Sequence, residues 1–205
     1  MSTAPFAFPT DGPTNALLLS PDREPVPGHD CTTMVGHDDP GMRDVLLIEM
    51  VDSPRRRLST WIEGTNGTHV RELTLVGVEG FGAPAEPPIE AADSVTLESV
   101  ASPSDITGLG IKVSDFLVDR RDATPTTVCL HSLTTLLQYA DLETVFQFTH
   151  TLSSHLTRSN ALAHCHLDPT AVDDRAVNTL RPLFDVVIDV DDGDPHVVST
   201  PTPTA

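Results

Sequence analysis

A chain of 205 residues that is 39% hydrophobic is long enough to bury a real core within one domain of ordinary size. Thirty acidic residues against twelve basic ones leave a formal charge of -18, a surface that repels DNA phosphates and anionic membranes, so a nucleic-acid partner is not expected. Cys31, Cys129 and Cys165 are odd in number and form no CxxC pair, which argues against a disulfide framework and a zinc ribbon and for a reducing setting.

Residues 1–13 are rich in Pro and Thr and are expected to be loose; they carry neither the basic nor the apolar region of a secretory leader. No stretch approaches the roughly eighteen apolar residues of a membrane span, so the expectation is a soluble cytoplasmic protein. Asn15-Ala-Leu-Leu-Leu19 is a short apolar run bounded by turn formers, which suits a buried strand of a parallel sheet. A loop follows, then a short helix over residues 31–37 and a second strand over 45–50. Ser53 as N-cap and Pro54 in the first turn open a helix through Trp61, which Gly64-Thr-Asn-Gly67 ends. Residues 69–78 form a third strand, residues 80–88 a Gly/Pro/Ala-rich loop and residues 94–100 a further strand. Asp105 caps a helix in which Ile106, Leu109, Val113, Phe116 and Leu117 share one face.

The strand over residues 126–132 ends in a polar pair, where an α/β sheet usually presents its working groups. Helices over 133–139 and 142–158 follow, the second carrying the apolar stripe Val145, Phe148 and Leu152. A strand over 161–167, a helix over 172–180 and a closing strand pair over 184–190 and 196–199 complete the pattern. Alternating strands and helices predict an α/β domain with a mainly parallel sheet, covered on both faces. The expected organisation is a flexible segment 1–13, one domain over 14–199 and a flexible tail 200–205.

The turn after the first strand reads Ser20-Pro-Asp-Arg-Glu-Pro-Val-Pro-Gly-His-Asp-Cys-Thr-Thr33. A phosphate loop of the form GxxxxGK[ST] needs glycines so that backbone N–H groups reach the phosphates, and a lysine to neutralise them. Asp30 and Cys31 stand where its Gly-Lys pair falls, and each proline of the turn removes an amide donor. Lys112 is the chain's one lysine and lies in a later helix; the other eleven basic residues are arginine. This acidic, lysine-poor composition resembles that of extreme halophiles, where at about 1 M salt a Debye length of about 3 Å screens self-repulsion. The charge is read as surface solvation, and Arg55-Arg-Arg57 as a solvated helix face.

Several local strings resemble the RecA superfamily, in particular its KaiC/GvpD-like archaeal branch, over about residues 15–190. Val128-Cys-Leu-His-Ser-Leu-Thr-Thr-Leu-Leu137 is similar to that family's Walker B strand and the turn after it. Asp52-Ser53-Pro54 is similar to the end of its paired-glutamate motif. Ala163-His-Cys-His-Leu-Asp-Pro169 and Leu180-Arg-Pro-Leu-Phe-Asp-Val-Val-Ile188 are similar to its later strands. The resemblance implies a RecA-like, P-loop NTPase-type three-layer sandwich. It also implies a nucleotide site at Gly28, Thr32, Thr33, Asp52 and Ser132, and self-association. The departures fall on the chemistry. The loop lacks Gly-Lys, His131 replaces the magnesium-holding Walker B aspartate, and Val51 and Asp52 replace the paired glutamates that activate water.

These departures imply a degenerate member without a Walker A loop, with no cofactor and with ATP and Mg²⁺ disfavoured. The expected role is that of a catalytically silent regulatory or assembly module, binding a protein partner or copies of itself. One competing reading is an unconventional nucleotide-binding protein or weak ATPase. Another is a transition-metal protein using His131, His164, His166 and Asp168, since alternation puts His164 and His166 on one strand face and Cys165 on the other.

Overall fold

A computed structural model describes residues 14–21, 43–50, 70–78, 92–118, 124–191 and 194–199. In chain order the elements are β1 (Thr14–Leu19), β2 (Arg43–Glu49), β3 (Val70–Val78), β4 (Ala92–Val100), α1 (Ile106–Val118), β5 (Thr126–His131), α2 (Leu133–Tyr139), α3 (Leu142–Arg158), β6 (Leu162–Leu167), α4 (Asp174–Leu180), β7 (Val186–Asp191) and β8 (Asp194–Ser199). The expected short helix over 31–37, the helix from Ser53 to Trp61, Arg55 to Arg57 and the 80–88 loop lie outside the described residues.

The eight described strands form one sheet in the order β4-β3-β2-β5-β6-β1-β7-β8. All neighbours are parallel except the closing pair β7 and β8. Continuous apolar runs place strands in such a sheet because both faces are covered, and every residue of β1 and β2 is indeed buried. The fold is therefore the expected α/β class with a mostly parallel sheet.

The helices begin where short polar side chains satisfy orphan N–H groups. Asp105 accepts from the Gly108 N–H at 2.8 Å, Asp141 from the Thr144 N–H at 2.7 Å and Asp173 from the Ala176 N–H at 2.7 Å. The backbone N–H of Thr144 also holds the Asp141 carboxyl below its usual range. Because Asp173 is the cap, α4 starts at Asp174 and not at residue 172. A 3-10 turn over Arg181–Leu183, with Pro182 in it, then delays β7 to Val186, two residues later than the apolar pattern suggests. Asn160, at φ 50, ends α3 in the left-handed region that asparagine tolerates.

The four described helices all pack on one face of the sheet. Leu109, Val113, Phe116 and Leu117 of α1 and Val145, Phe148, Leu152 and Leu156 of α3 meet Leu17, Leu46, Ile48, Val128, Leu130 and Cys165 there. Each such side chain contributes about 1.5–3 kcal/mol on burial. The opposite face carries two smaller apolar clusters. Val45, Leu47, Leu73, Leu75 and Cys129 make one, and Ala16, Leu18, Leu162, Val186 and Ile188 the other. No described helix is long and apolar enough to cross a membrane.

Candidate functional site

Parallel strands present their C-terminal ends along one edge, and there the chain places its most unusual chemistry. His131 is the last residue of β5 and lies in register with Glu49, the last residue of β2. The two strand ends are joined by Met50 N–H donating to the His131 carbonyl at 2.9 Å. His131 Nδ1 stands 3.4 Å from Glu49 Oε1, and the Glu49 side chain is almost wholly buried. The next peptide, His131-Ser132, is cis. Ser132 Oγ, the described member of the nucleotide site that the resemblance implies, accepts from the Thr135 N–H at 3.4 Å and so caps α2. The other residues of that expected site, Gly28, Thr32, Thr33 and Asp52, lie outside the described residues.

Lys112 does not serve this edge. Its Nζ pairs with Glu98 Oε2 at 2.7 Å, between α1 and the edge strand β4. Four strands, β3, β2, β5 and β6, separate β4 from β1. At about 4.8 Å per strand that is roughly 24 Å, well beyond the reach of a lysine side chain.

A second group of residues lies on the sheet face opposite the described helices. Parallel pairing of β5 and β6 sets Cys129 opposite His164 and Leu130 opposite Cys165. Strand alternation then puts Glu49, Cys129, His131, His164 and His166 on this face, and Cys165 among the helix-facing core. Cys129 Sγ lies 3.8 Å from His166 Nε2. The His166 ring meets His131 edge-on at 4.9 Å between centroids and His164 at 5.3 Å. One ligand atom from each of Cys129, His164 and His166 lies within 4.8 Å of the others. His164 is 0% exposed, and neither of its ring nitrogens has a hydrogen-bond partner among the described residues.

Of the four metal candidates read from the sequence, the structure gathers His131, His164 and His166 and leaves Asp168 apart. Strand β6 stops at Leu167, so alternation no longer governs residue 168. Asp168 Oδ1 instead accepts from the Thr170 N–H and hydroxyl, both at 2.7 Å, and its own N–H donates to Thr134 Oγ1 at 2.8 Å. That carboxylate shapes the turn out of β6, and the backbone N–H docks the turn on α2. Cys129 and Glu49 are the members that the sequence reading missed. The signal for Cys129 was its place two residues before His131 on the same strand face; Glu49 had none before the pairing of β2 with β5 was known.

Chemically, a thiol and imidazoles packed at these distances suit soft or borderline cations, and a lone buried carboxylate beside an imidazole suits magnesium poorly. Cys165, on the other face, is a different kind of thiol: burial in apolar surroundings pushes it up to about 12.

Solved structures share the architecture. A protein from Pyrococcus horikoshii OT3 superposes with a TM-score of 0.55 at 8% identity, covering 94% of this chain and 89% of its own. An uncharacterized protein from Pyrococcus horikoshii, in complex with an unknown peptide, gives 0.52 at 13% identity, covering 93% and 85%. A KaiC-like protein from Pyrococcus horikoshii OT3 gives 0.51 at 10% identity, covering 93% and 81%. At such identities the likeness is one of fold, and the fold is RecA/KaiC-like. A search of curated proteins returns no match. A family model matches residues 13–190, and the chain therefore belongs to DUF7504, a family of unknown function.

Proposed function

We propose that this chain is a RecA-like module that does not carry out phosphoryl transfer and acts through protein contacts, as a regulatory or assembly unit. The observation that carries the reading is His131. It occupies the end of β5, where the resemblance places a magnesium-holding aspartate, and its imidazole is packed between Glu49 and His166. Magnesium demands oxygen ligands in near-octahedral geometry, and an imidazole there offers neither the charge nor the donor. Asp30 and Cys31 in place of the Gly-Lys pair, and Val51 in place of a glutamate, weaken the phosphate cradle and the general base in the same direction.

Protein contact is supported by what the surface offers. Among the described residues strand β8 ends the sheet, and its Val197 and Val198 are exposed, as are Ile111 and Val118 of α1 and Tyr139 of α2. An open strand edge accepts an added strand through backbone hydrogen bonds. A similarly folded protein from Pyrococcus horikoshii is in complex with an unknown peptide.

The test is thermal unfolding of the full chain at molar KCl with and without ATP and Mg²⁺, alongside light scattering. The expected result is no nucleotide-dependent shift and a self-associated species in solution. Nucleotide held at 100 times its Kd adds about 2.7 kcal/mol of stability, which such a melt resolves readily. A shift of that size, with hydrolysis lost in Thr32→Ala, overturns the reading.

A further inference from the structure

We propose that Cys129, His164 and His166 bind one divalent transition cation, zinc in the first place, on the sheet face opposite the described helices. The site follows from register and alternation. Pairing of β5 with β6 sets Cys129 beside His164, and period two carries His166 to the same face one step nearer the C-terminal edge. Three donor atoms within 4.8 Å of one another are close to a coordination shell. For zinc, with sulfur at about 2.3 Å and nitrogen at about 2.0–2.1 Å, tetrahedral geometry separates the two donors by about 3.6 Å. The Cys129 Sγ to His166 Nε2 distance is 3.8 Å, so only a small closure separates the pair from that value.

His164 supplies an independent reason. It is 0% exposed and both ring nitrogens lack a partner among the described residues, so it bears the desolvation cost of burial with no hydrogen bond to offset it. A metal ion converts that imidazole into a ligand. The donor set selects the ion, since one thiolate and two imidazoles favour zinc, cobalt, nickel or copper over magnesium or calcium. On binding, the Cys129 thiol proton leaves to solvent and the thiolate takes its place at the metal. His131, 3.4 Å from Glu49, packs edge-on against the His166 ring beside the ligands. A Cys129–His166 nucleophile is the weaker account of the same atoms: Cys129 is 1% exposed, which denies a substrate its approach, and that account leaves His164 unexplained.

The experiment uses the full chain, stripped with chelator, kept reduced at molar KCl and titrated with Co²⁺ and then Zn²⁺. One equivalent of cobalt is expected to produce a thiolate-to-cobalt charge-transfer band and visible bands of four-coordinate intensity, both abolished by one equivalent of zinc. Cys129→Ser is expected to remove the charge-transfer band, and His166→Gln to weaken cobalt binding at least tenfold. Cys165→Ser and Cys31→Ser are expected to keep the band. His164→Leu guards against mere misfolding: it is expected to melt no lower than the metal-free parent while binding no cobalt. Absence of the band in the parent chain, its survival in Cys129→Ser, or its loss in Cys31→Ser overturns the proposal. These readouts involve no nucleotide, so they stand or fall separately from the phosphoryl-transfer reading.

Discussion

At the scale of single residues, the two described thiols differ because the sheet has two faces. Cys165 points into the helix-covered core, and desolvation raises its thiol from 9.0 to about 12. A group whose folded value lies above its unfolded one stabilises fully below the unfolded value and loses that contribution as pH rises through the folded one. Stability is thus expected to fall between pH 9 and 12 in wild type, and less steeply in Cys165→Ala, as urea melts across that range would show. At pH 8 the folded chain should leave Cys165 unlabelled by a thiol reagent, which peptide mapping checks. Gly108 is a second residue whose identity has a local cause. A Cβ there would collide with the Asp105 carboxylate that caps α1. Gly108→Ala gains about 1 kcal/mol of helix propensity and loses a cap of about the same size, so the single variant should melt near wild type. In an Asp105→Ala background, where no cap remains to lose, the same change should stabilise by about 1 kcal/mol.

At the scale of elements, strand order rests on polar clasps at the N-terminal edge as well as on apolar faces. Arg71 of β3 donates through Nε to Asp44 Oδ1 at 2.9 Å and through Nη2 to Asp44 Oδ2, across the bulge at the start of β2. That hydrogen bond, with the nearby Asp44 charge, raises the Arg71 guanidinium above its ordinary value. The Asp44 side chain is fully buried while Arg71 remains well exposed, so the two partners are unequal. Removing the arginine takes two charge-assisted hydrogen bonds from a buried carboxylate; removing the carboxylate releases an arginine to water. Arg71→Met should therefore cost about 1–2 kcal/mol and more than Asp44→Asn, with clear non-additivity in the double variant. Element boundaries were legible in the sequence at the caps Asp105 and Asp141. They slipped where a competing cap, Asp173, or a tight turn, Arg181–Leu183, intervened.

At the scale of the whole molecule, a formal charge of -18 on 205 residues makes self-repulsion a global variable. The Debye length falls from about 10 Å at 0.1 M salt to about 3 Å at 1 M, so repulsion between neighbouring carboxylates is damped only at high salt. The melting temperature is therefore expected to rise steadily from 0.1 M to molar KCl, and a flat profile would remove charge as the reason for it. The paired Lys112–Glu98 bridge on the β4 edge is one of the contacts that salt should weaken while total stability rises.

What the amino-acid order determined by itself was local: which of the described runs are strands, which are helices, and which side of a strand each side chain takes. Alternation alone was enough to put His164 and His166 together and Cys165 apart, because period two is a property of one strand. Tertiary structure decided the rest. That Cys129 stands beside His164, that Glu49 meets His131 and that Asp168 turns back to Thr170 depend on strand order, register and the point where β6 stops. These are set by packing between segments dozens of residues apart, and no local pattern encodes such distances.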